Sequence, residues 1–231
     1  WWTGMHQKQV QLLLHGNNIS ASSISVDYPG VTINEINKVE NPNYLFVYLT
    51  VSDEAQPGTV VFTLQQGKKK IKKEWQLLAR NNKIGAQGFD SHDVMYLITP
   101  DRFSDGDQTN NFPEARVNRK SPWARHGGDI RGVINHLDYL QDLGLTAIWL
   151  NPVVKNSPRC YHGYAINDFY TIDPCYGTMD EYIEFIDKAH DKGMKVVMDM
   201  IFNHSGGDHW WMKDLPSKDW YNNNSEYIGC N

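Results

Sequence analysis

Three short stretches hold the residue types that could do chemistry. In "DMIFNHS" (199–205), Asp199, Asn203 and His204 close the apolar run "KVVM" (195–198). A carboxylate in a buried strand is costly unless it is paired or functional. Asp199 could bond a neighbouring strand and His204 could cap a helix. Grouped at the carboxyl end of a strand, the residues read as a site. The second stretch, "RCYHGYAINDFYTIDPCYGT" (159–178), brackets His162-Gly163 with Tyr161 and Tyr164 and then reaches Asp168. A small residue between aromatics lets a flat ligand approach, although packing of an irregular loop explains the same residues. The third pairs "DRFSDGDQTNN" (101–111) with "HGGDIRG" (126–132). Asp105, Asp107, Asn110 and Asn111 offer hard oxygens, and Asp129 with the Gly127 carbonyl could complete a calcium cage of six to eight ligands. The loop is not an EF-hand, because Gly106 comes too early and the twelfth position from Asp105 is Arg116. A self-capping cluster of Asx turns is the alternative.

The elements that must position these stretches follow from pattern. "VMYLITP" (94–100), "TAIWLNP" (146–152) and "KVVMDMI" (195–201) are continuous apolar runs, as parallel strands buried on both faces should be. "GVINHLDYLQDLG" (132–144) predicts one helix stopped by Gly144. "TMDEYIEFIDKAHDKG" (178–193) predicts another, opened by a Thr178/Glu181 capping box and stopped by Gly193. Helix-to-strand joins are short and strand-to-helix joins are long. In parallel α/β folds, function sits beyond the carboxyl ends of the strands, so the long loops mark the working face.

The first 80 residues have a different grammar. "QVQLLLHG" (9–16), "YLFVYLTV" (44–51) and "GTVVFTLQQ" (58–66) are strand-like runs between turn clusters, as in a small sandwich of immunoglobulin type. "GKKKIKKEWQL" (67–77) predicts a hairpin whose lysines form a solvated edge or, alternatively, a polyanion contact. "ARNNKIGAQGFDSHD" (79–93) reads as a linker. Residues 1–90 carry nine basic and seven acidic side chains, and the rest carry thirteen and twenty, which fits two domains of different character. A net charge of −5 argues against nucleic acid as the main partner. No run is apolar enough to span a bilayer and no signal peptide is visible. Trp1-Trp2 reads as a trimmed or mature start. Cys160 and Cys175 flank one loop and could pair in an oxidising compartment; three free thiols are the alternative.

Together the three loops resemble the α-amylase clan of glycoside hydrolases. "DMIFNH" is similar to the clan's Asp-x-x-x-Asn-His signature. "YHGY" (161–164) with "IDPCYG" (172–177) resembles the segment before it, and "MYLITPDRFSDGD" with "HGGDIRGVINHLDYLQDLGLTAIWLNP" resembles its first two barrel strands. The all-β start resembles the neopullulanase, cyclomaltodextrinase and maltogenic amylase branch, most of all the starch-utilisation neopullulanases of Bacteroides-type bacteria. The fold this implies is an immunoglobulin-like sandwich (1–80), a linker (81–93), the first three βα units of an incomplete (β/α)8 TIM barrel (94–204), and the start of an inserted domain (205–231). The resemblance implies that Tyr164 stacks on a sugar, that His162 and His204 bond the same sugar, and that Asp199 supports the nucleophile's surroundings. It implies a structural calcium on Asp105, Asp107, Asn110, Asn111, Gly127 and Asp129, with Asn111 where the branch commonly has Asp. Asn203 stays structural. It also implies α-glucan partners, a bacterial periplasmic location, and a possible homodimer formed through the sandwich.

The clan cleaves with retention, one carboxylate attacking and another serving as acid and then base. The resemblance puts both on later strands, after Asn231, the last residue of the chain. From residue 93 the chain has 139 residues, against ~250 for a typical barrel. The expectation is therefore an N-terminal part of an α-1,4-glucan hydrolase acting on starch oligosaccharides, pullulan or cyclodextrins. No catalytic residue is expected among these 231, and the fragment by itself should be inactive. An amylase-like protein without catalysis that binds glycans or a partner is the alternative.

Overall fold

The computed structural model describes residues 1–80 and 88–222. The start of the expected linker (81–87) lies outside the described residues. So does 223–231, the end of the expected inserted domain, with Cys230 and the terminal Asn231 beyond which the catalytic carboxylates are expected. The described residues divide into two compact units, one holding 1–80 with 213–222 and the other 88–212. Among them, no helix is long and apolar enough to cross a membrane.

The first unit has six strands: β1 (Gln9–His15), β2 (Ser23–Val26), β3 (Val31–Lys38), β4 (Tyr44–Val51), β5 (Gly58–Gln66) and β6 (Lys69–Leu77). They form two antiparallel sheets of order β1-β4-β3 and β2-β5-β6. Alternation decides which face is buried. Val47, Leu49 and Val51 of β4 join Val60, Phe62 and Leu64 of β5 in a single apolar cluster, so both sheets contribute to one core. Strands β2 and β3 were not legible as runs, because "SISV" and "VTINEINK" alternate with polar residues and lack an unbroken apolar stretch. The lysines of β6 lie exposed on an edge strand, where charge discourages pairing with another chain.

The second unit is built on three parallel strands, β7 (Met95–Ile98), β8 (Ala147–Leu150) and β11 (Lys195–Met198), in the order β11-β8-β7. Helices α1 (Pro100–Phe103), α2 (Ile130–Ile134), α3 (Leu137–Asp142) and α4 (Met179–Asp191) lie between them in sequence. Ile130, Val133, Leu137 and Leu140 from α2 and α3, and Tyr182, Phe185 and Ala189 from α4, pack with Ile98, Ile148 and Leu150 of the sheet. The expectation of burial on both faces holds best for the central strand. Tyr96 and Leu97 of β7 and Met198 of β11 stay 43–49% exposed, because each edge strand has a neighbour on one side only.

Two further expectations need correction. The single helix over 132–144 is two helices, broken at Asn135-His136, where His136 leaves helical geometry (φ −115°, ψ 13°) and its Nδ1 lies 2.7 Å from the Gly132 carbonyl. The first of them starts earlier than expected, at Ile130, because the Asp129 side chain accepts the Gly132 N–H and caps it. The long loop after β8 is not wholly irregular. It contains the antiparallel pair β9 (Val154–Asn156) and β10 (Ile166–Ile172), with an uneven register. Cys160 and Cys175 are both free thiols.

Helix α4 forms as expected. Thr178 accepts the Glu181 N–H at 3.2 Å while Glu181 accepts the Thr178 N–H at 3.0 Å, and Gly193 ends the helix at φ +75°. Thr178→Ala should therefore lower unfolding free energy by about 1 kcal/mol. Urea titration checks this, and an unchanged midpoint would contradict the cap's role.

Candidate functional site

Parallel pairing sets the site's position. Ile98, Leu150 and Met198, the last residues of β7, β8 and β11, are in register across the sheet. Loop 1 (99–129), loop 2 (151–178) and loop 3 (199–212) therefore leave from one edge, and the chemistry-bearing stretches leave with them.

Asp199 is the first residue past β11. Its carboxylate Oδ2 accepts the Tyr164 hydroxyl at 2.8 Å and the Trp149 indole N–H at 3.1 Å. One donor comes from loop 2 and the other from β8, so two elements hold this carboxylate. His162 stacks on Tyr164, with ring centroids 5.6 Å apart and planes 26° apart. The Tyr164 N–H points at His162 Nδ1 at 3.1 Å, which makes Nδ1 the acceptor and leaves the proton on Nε2. Burial, followed by the charge of Arg125, holds His162 below its ordinary value of 6.5, consistent with a neutral ring. Burial and Asp199 push Tyr164 up to about 12, so its hydroxyl stays a donor. His204 Nε2 lies 3.0 Å from the Tyr164 carbonyl, and its ring is exposed. Gly163 allows this tight turn, because at φ +86° a Cβ would clash with the Pro152 carbonyl.

The structure thus gathers His162, Asp199 and His204 around Tyr164, the first two at its side chain and the third at its backbone carbonyl. Asn203 touches His204 at 3.2 Å and is exposed. Asp168 is turned into its own hairpin, accepting the Tyr170 N–H and the Thr171 hydroxyl. Among the described residues, no carboxylate other than Asp199 hydrogen-bonds to these four side chains. The cluster can stack on a flat apolar face and bond hydroxyls around it. Trp149 escaped the sequence reading, although a lone indole N–H in an apolar strand implies a partner nearby. Asn151, whose Nδ2 donates to the His162 carbonyl at 3.1 Å, escaped it as well.

The oxygen-rich residues of loop 1 are also brought together, in unequal roles. Asp129 Oδ1 accepts the N–H groups of Gly106 and Gly132, while Oδ2 accepts the Asp107 N–H and the Asn110 amide. Four protein donors occupy it, so it organises the loop. Asp107 Oδ1 caps Thr109. Asp105 Oδ2 takes Arg119 at 2.7 Å and the Asn111 amide at 3.0 Å. Two oxygens remain as a test of metal fit. Asp105 Oδ1 and Asn110 Oδ1 are buried with no hydrogen-bond partner. A Cβ on Gly127 would sit 2.5 Å from Asn111 Oδ1, so the backbone there makes room beside an amide oxygen. Hard, orphaned oxygens beside a glycine suit a calcium-type cation. Among the described residues, no three His, Cys, Asp or Glu side chains form a metal cluster.

Residues 1–81 match the family Cyclomaltodextrinase, N-terminal, and residues 97–228 match Alpha amylase, catalytic domain. A cyclomaltodextrinase of Thermoanaerobacter pseudethanolicus is 31% identical over 96% of this chain and 39% of its own length. Neopullulanase 2 of Thermoactinomyces vulgaris is 37% identical over 54% of this chain and 22% of its own length. An Anoxybacillus α-amylase structure aligns with TM-score 0.53 and 41% identity over 56% of this chain and 28% of that one. The α-amylase of Geobacillus thermoleovorans, solved with acarbose, aligns with TM-score 0.52 and 38% identity over 60% of this chain and 29% of that one. The chain spans well under half the length of the curated relatives it matches. With a catalytic-domain match over more than half of its residues, behind a cyclomaltodextrinase-type N-terminal region, the chain belongs to the α-amylase family.

Proposed function

We propose that this chain carries the sugar-contact edge of a retaining α-glucan hydrolase acting on α-1,4 linkages in starch oligosaccharides, pullulan or cyclodextrins. One observation carries the reading: Asp199, Tyr164, His162 and His204 meet where three parallel strands end in register. In this reading the six N-terminal strands are an immunoglobulin-like sandwich, and β7, β8 and β11 with their helices are the first three βα units of a (β/α)8 barrel.

The Tyr164 ring would stack on the glucosyl unit on the non-reducing side of the scissile bond. His162 Nε2–H and the exposed His204 ring would bond its hydroxyls. Asp199, already bound to Tyr164 and Trp149, would brace the ring and shape the field around the nucleophile. Retention needs two carboxyl groups about 5–5.5 Å apart. Asp199 has no such partner within its hydrogen-bonded cluster. On the strength of the family resemblance, this reading assigns the attacking carboxylate and the acid/base to positions after Asn231.

Loop 1 would hold a structural calcium through Asp105, Asn110, Asn111 and the Gly127 carbonyl, with Asp107 and Asp129 shaping the cage. The ion would neutralise buried oxygens and stiffen the loop. A bacterial periplasmic location and a homodimer formed through the N-terminal unit belong to the same reading, on the strength of its resemblance to the neopullulanase, cyclomaltodextrinase and maltogenic amylase branch.

Four outcomes are expected of the intact protein. His204→Ala should lower kcat/KM on maltoheptaose by about ten- to a hundredfold with an unchanged circular dichroism spectrum; wild-type kinetics would refute substrate contact. Glucan affinity should be level above pH 6.5 and fall below it, because protonation removes the Nδ1 acceptor of a ring held below that value. Stability should fall in the same direction, since the unfolded chain takes up the proton first. Calorimetric titration across pH 5–8 checks the first of these trends. Finally, chelation should lower the melting temperature, and identical thermal scans of verified metal-free and calcium-loaded protein would remove the ion from the account.

A further inference from the structure

Two arginines of loop 1 reach into loop 2, and the proposed chemistry uses neither. Arg125 is 1% exposed. Its Nε donates to the Pro158 carbonyl at 2.8 Å and its Nη2 to Asp173 Oδ2 at 2.9 Å. Asp173 also accepts the N–H groups of Asn156 at 3.1 Å and Cys175 at 2.9 Å. The same guanidinium lies 5.0 Å from the centre of the Tyr176 ring, whose hydroxyl donates to the Tyr161 carbonyl at 2.5 Å. The backbone of loop 2 is thus tied to one buried cation directly at 158, and through Asp173 and Tyr176 at 156 and 161.

Arg102 holds Tyr161 by its ring. Its guanidinium carbon sits 3.9 Å from the ring centroid, while Nη2 donates to the carbonyls of Pro122 and Ala124 at 2.8 Å each. Tyr161 packs edge-on against His162 at 5.3 Å. Neutralising Asp173 requires a cation but not a fork. A lysine could do that, yet its single ammonium could not also serve Pro158 with the geometry of a guanidinium.

We propose that Arg125 and Arg102 are positioning residues that set loop 2 so that His162 and Tyr164 meet the sugar. The proposal rests on the glucan-hydrolase reading. His162 and Tyr164 would hold the sugar before and during reaction alike, so loosening tethers at three backbone points and one ring weakens substrate binding more than it slows the bound complex.

The test uses Arg125→Lys, Arg102→Leu and Arg102→Lys in the intact protein, with maltoheptaose as the probe. Arg125→Lys and Arg102→Leu should each raise KM by about tenfold or more, and do so out of proportion to any change in kcat. Amide hydrogen exchange should quicken in residues 157–165 but not in α4. Arg102→Lys, which keeps a cation over the ring, should recover most of the affinity. Wild-type KM and exchange in both Arg125→Lys and Arg102→Leu would overturn the proposal. If Arg125→Lys fails to fold, Arg102→Leu decides, since that side chain is partly exposed. If the wild-type protein neither binds nor cleaves maltoheptaose, the functional reading falls, and exchange in residues 157–165 still judges the tether.

Discussion

The buried pair of Arg125 and Asp173 is the constraint on which the candidate site depends. Both side chains are at most 4% exposed, so each charge has left water almost completely. A buried ion pair recovers that cost only when good geometry and further hydrogen bonds satisfy both partners. Here Asp173 accepts two backbone N–H groups besides the guanidinium, and Arg125 also serves a backbone carbonyl. Its Nη1 alone is buried without a partner. Apolar residues of similar volume could fill the space. They would lose the bonds that run from Arg125 of loop 1 to the Pro158 carbonyl and the Asp173 carboxylate of loop 2.

Asp129 plays the corresponding part within loop 1. One carboxylate caps α2, orders two backbone N–H groups of the 105–107 turn and holds the Asn110 amide. The Asp101 carboxylate, 2% exposed, accepts the His126 N–H and so closes the other end of the loop. Burial pushes Asp101 above the usual carboxylate range, and these N–H bonds with the neighbouring arginines oppose that shift. The loop is thus organised by carboxylates facing backbone. Asp105 and Asn110 nevertheless keep a buried oxygen each without a protein partner.

Legibility in the sequence followed the range of the interaction. The capping box of α4 was legible, because it depends on residues a few positions apart. The hairpin expected over 67–77 is instead one strand, β6, which turns at Gly67-Lys68 and pairs along β5, so its lysines lie in the strand and not in a turn. The break at His136 was not legible. The apolar spacing of 132–144 runs through it, and periodicity does not register a side chain that competes for a helix carbonyl. The β9–β10 pair was hidden for a related reason, since its irregular register leaves no clean alternation. In the site, Asp199 and His204 stood out as polar residues closing an apolar strand, whereas His162 and Tyr164 lie within the loop between β9 and β10 and gained a role only from the family resemblance. Their supports Trp149, Arg125 and Asp173 did not, since an indole in an apolar strand and charges in a loop look ordinary until their partners are known.

The sequence by itself determined the three parallel strand runs of the second unit and the edge from which its long loops leave. Apolar runs, helix stops and the one-sided excess of loop length depend on neighbours along the chain, and those neighbours are fixed by covalent order. The tertiary structure alone decided which groups meet. Trp149 and Tyr164 converge on Asp199 from 50 and 35 residues away, and Arg125 finds Asp173 across 48. Such pairings depend on strand register and loop closure. The energies that select them come from burying charge and polar groups in three dimensions, and one-dimensional spacing carries no record of them.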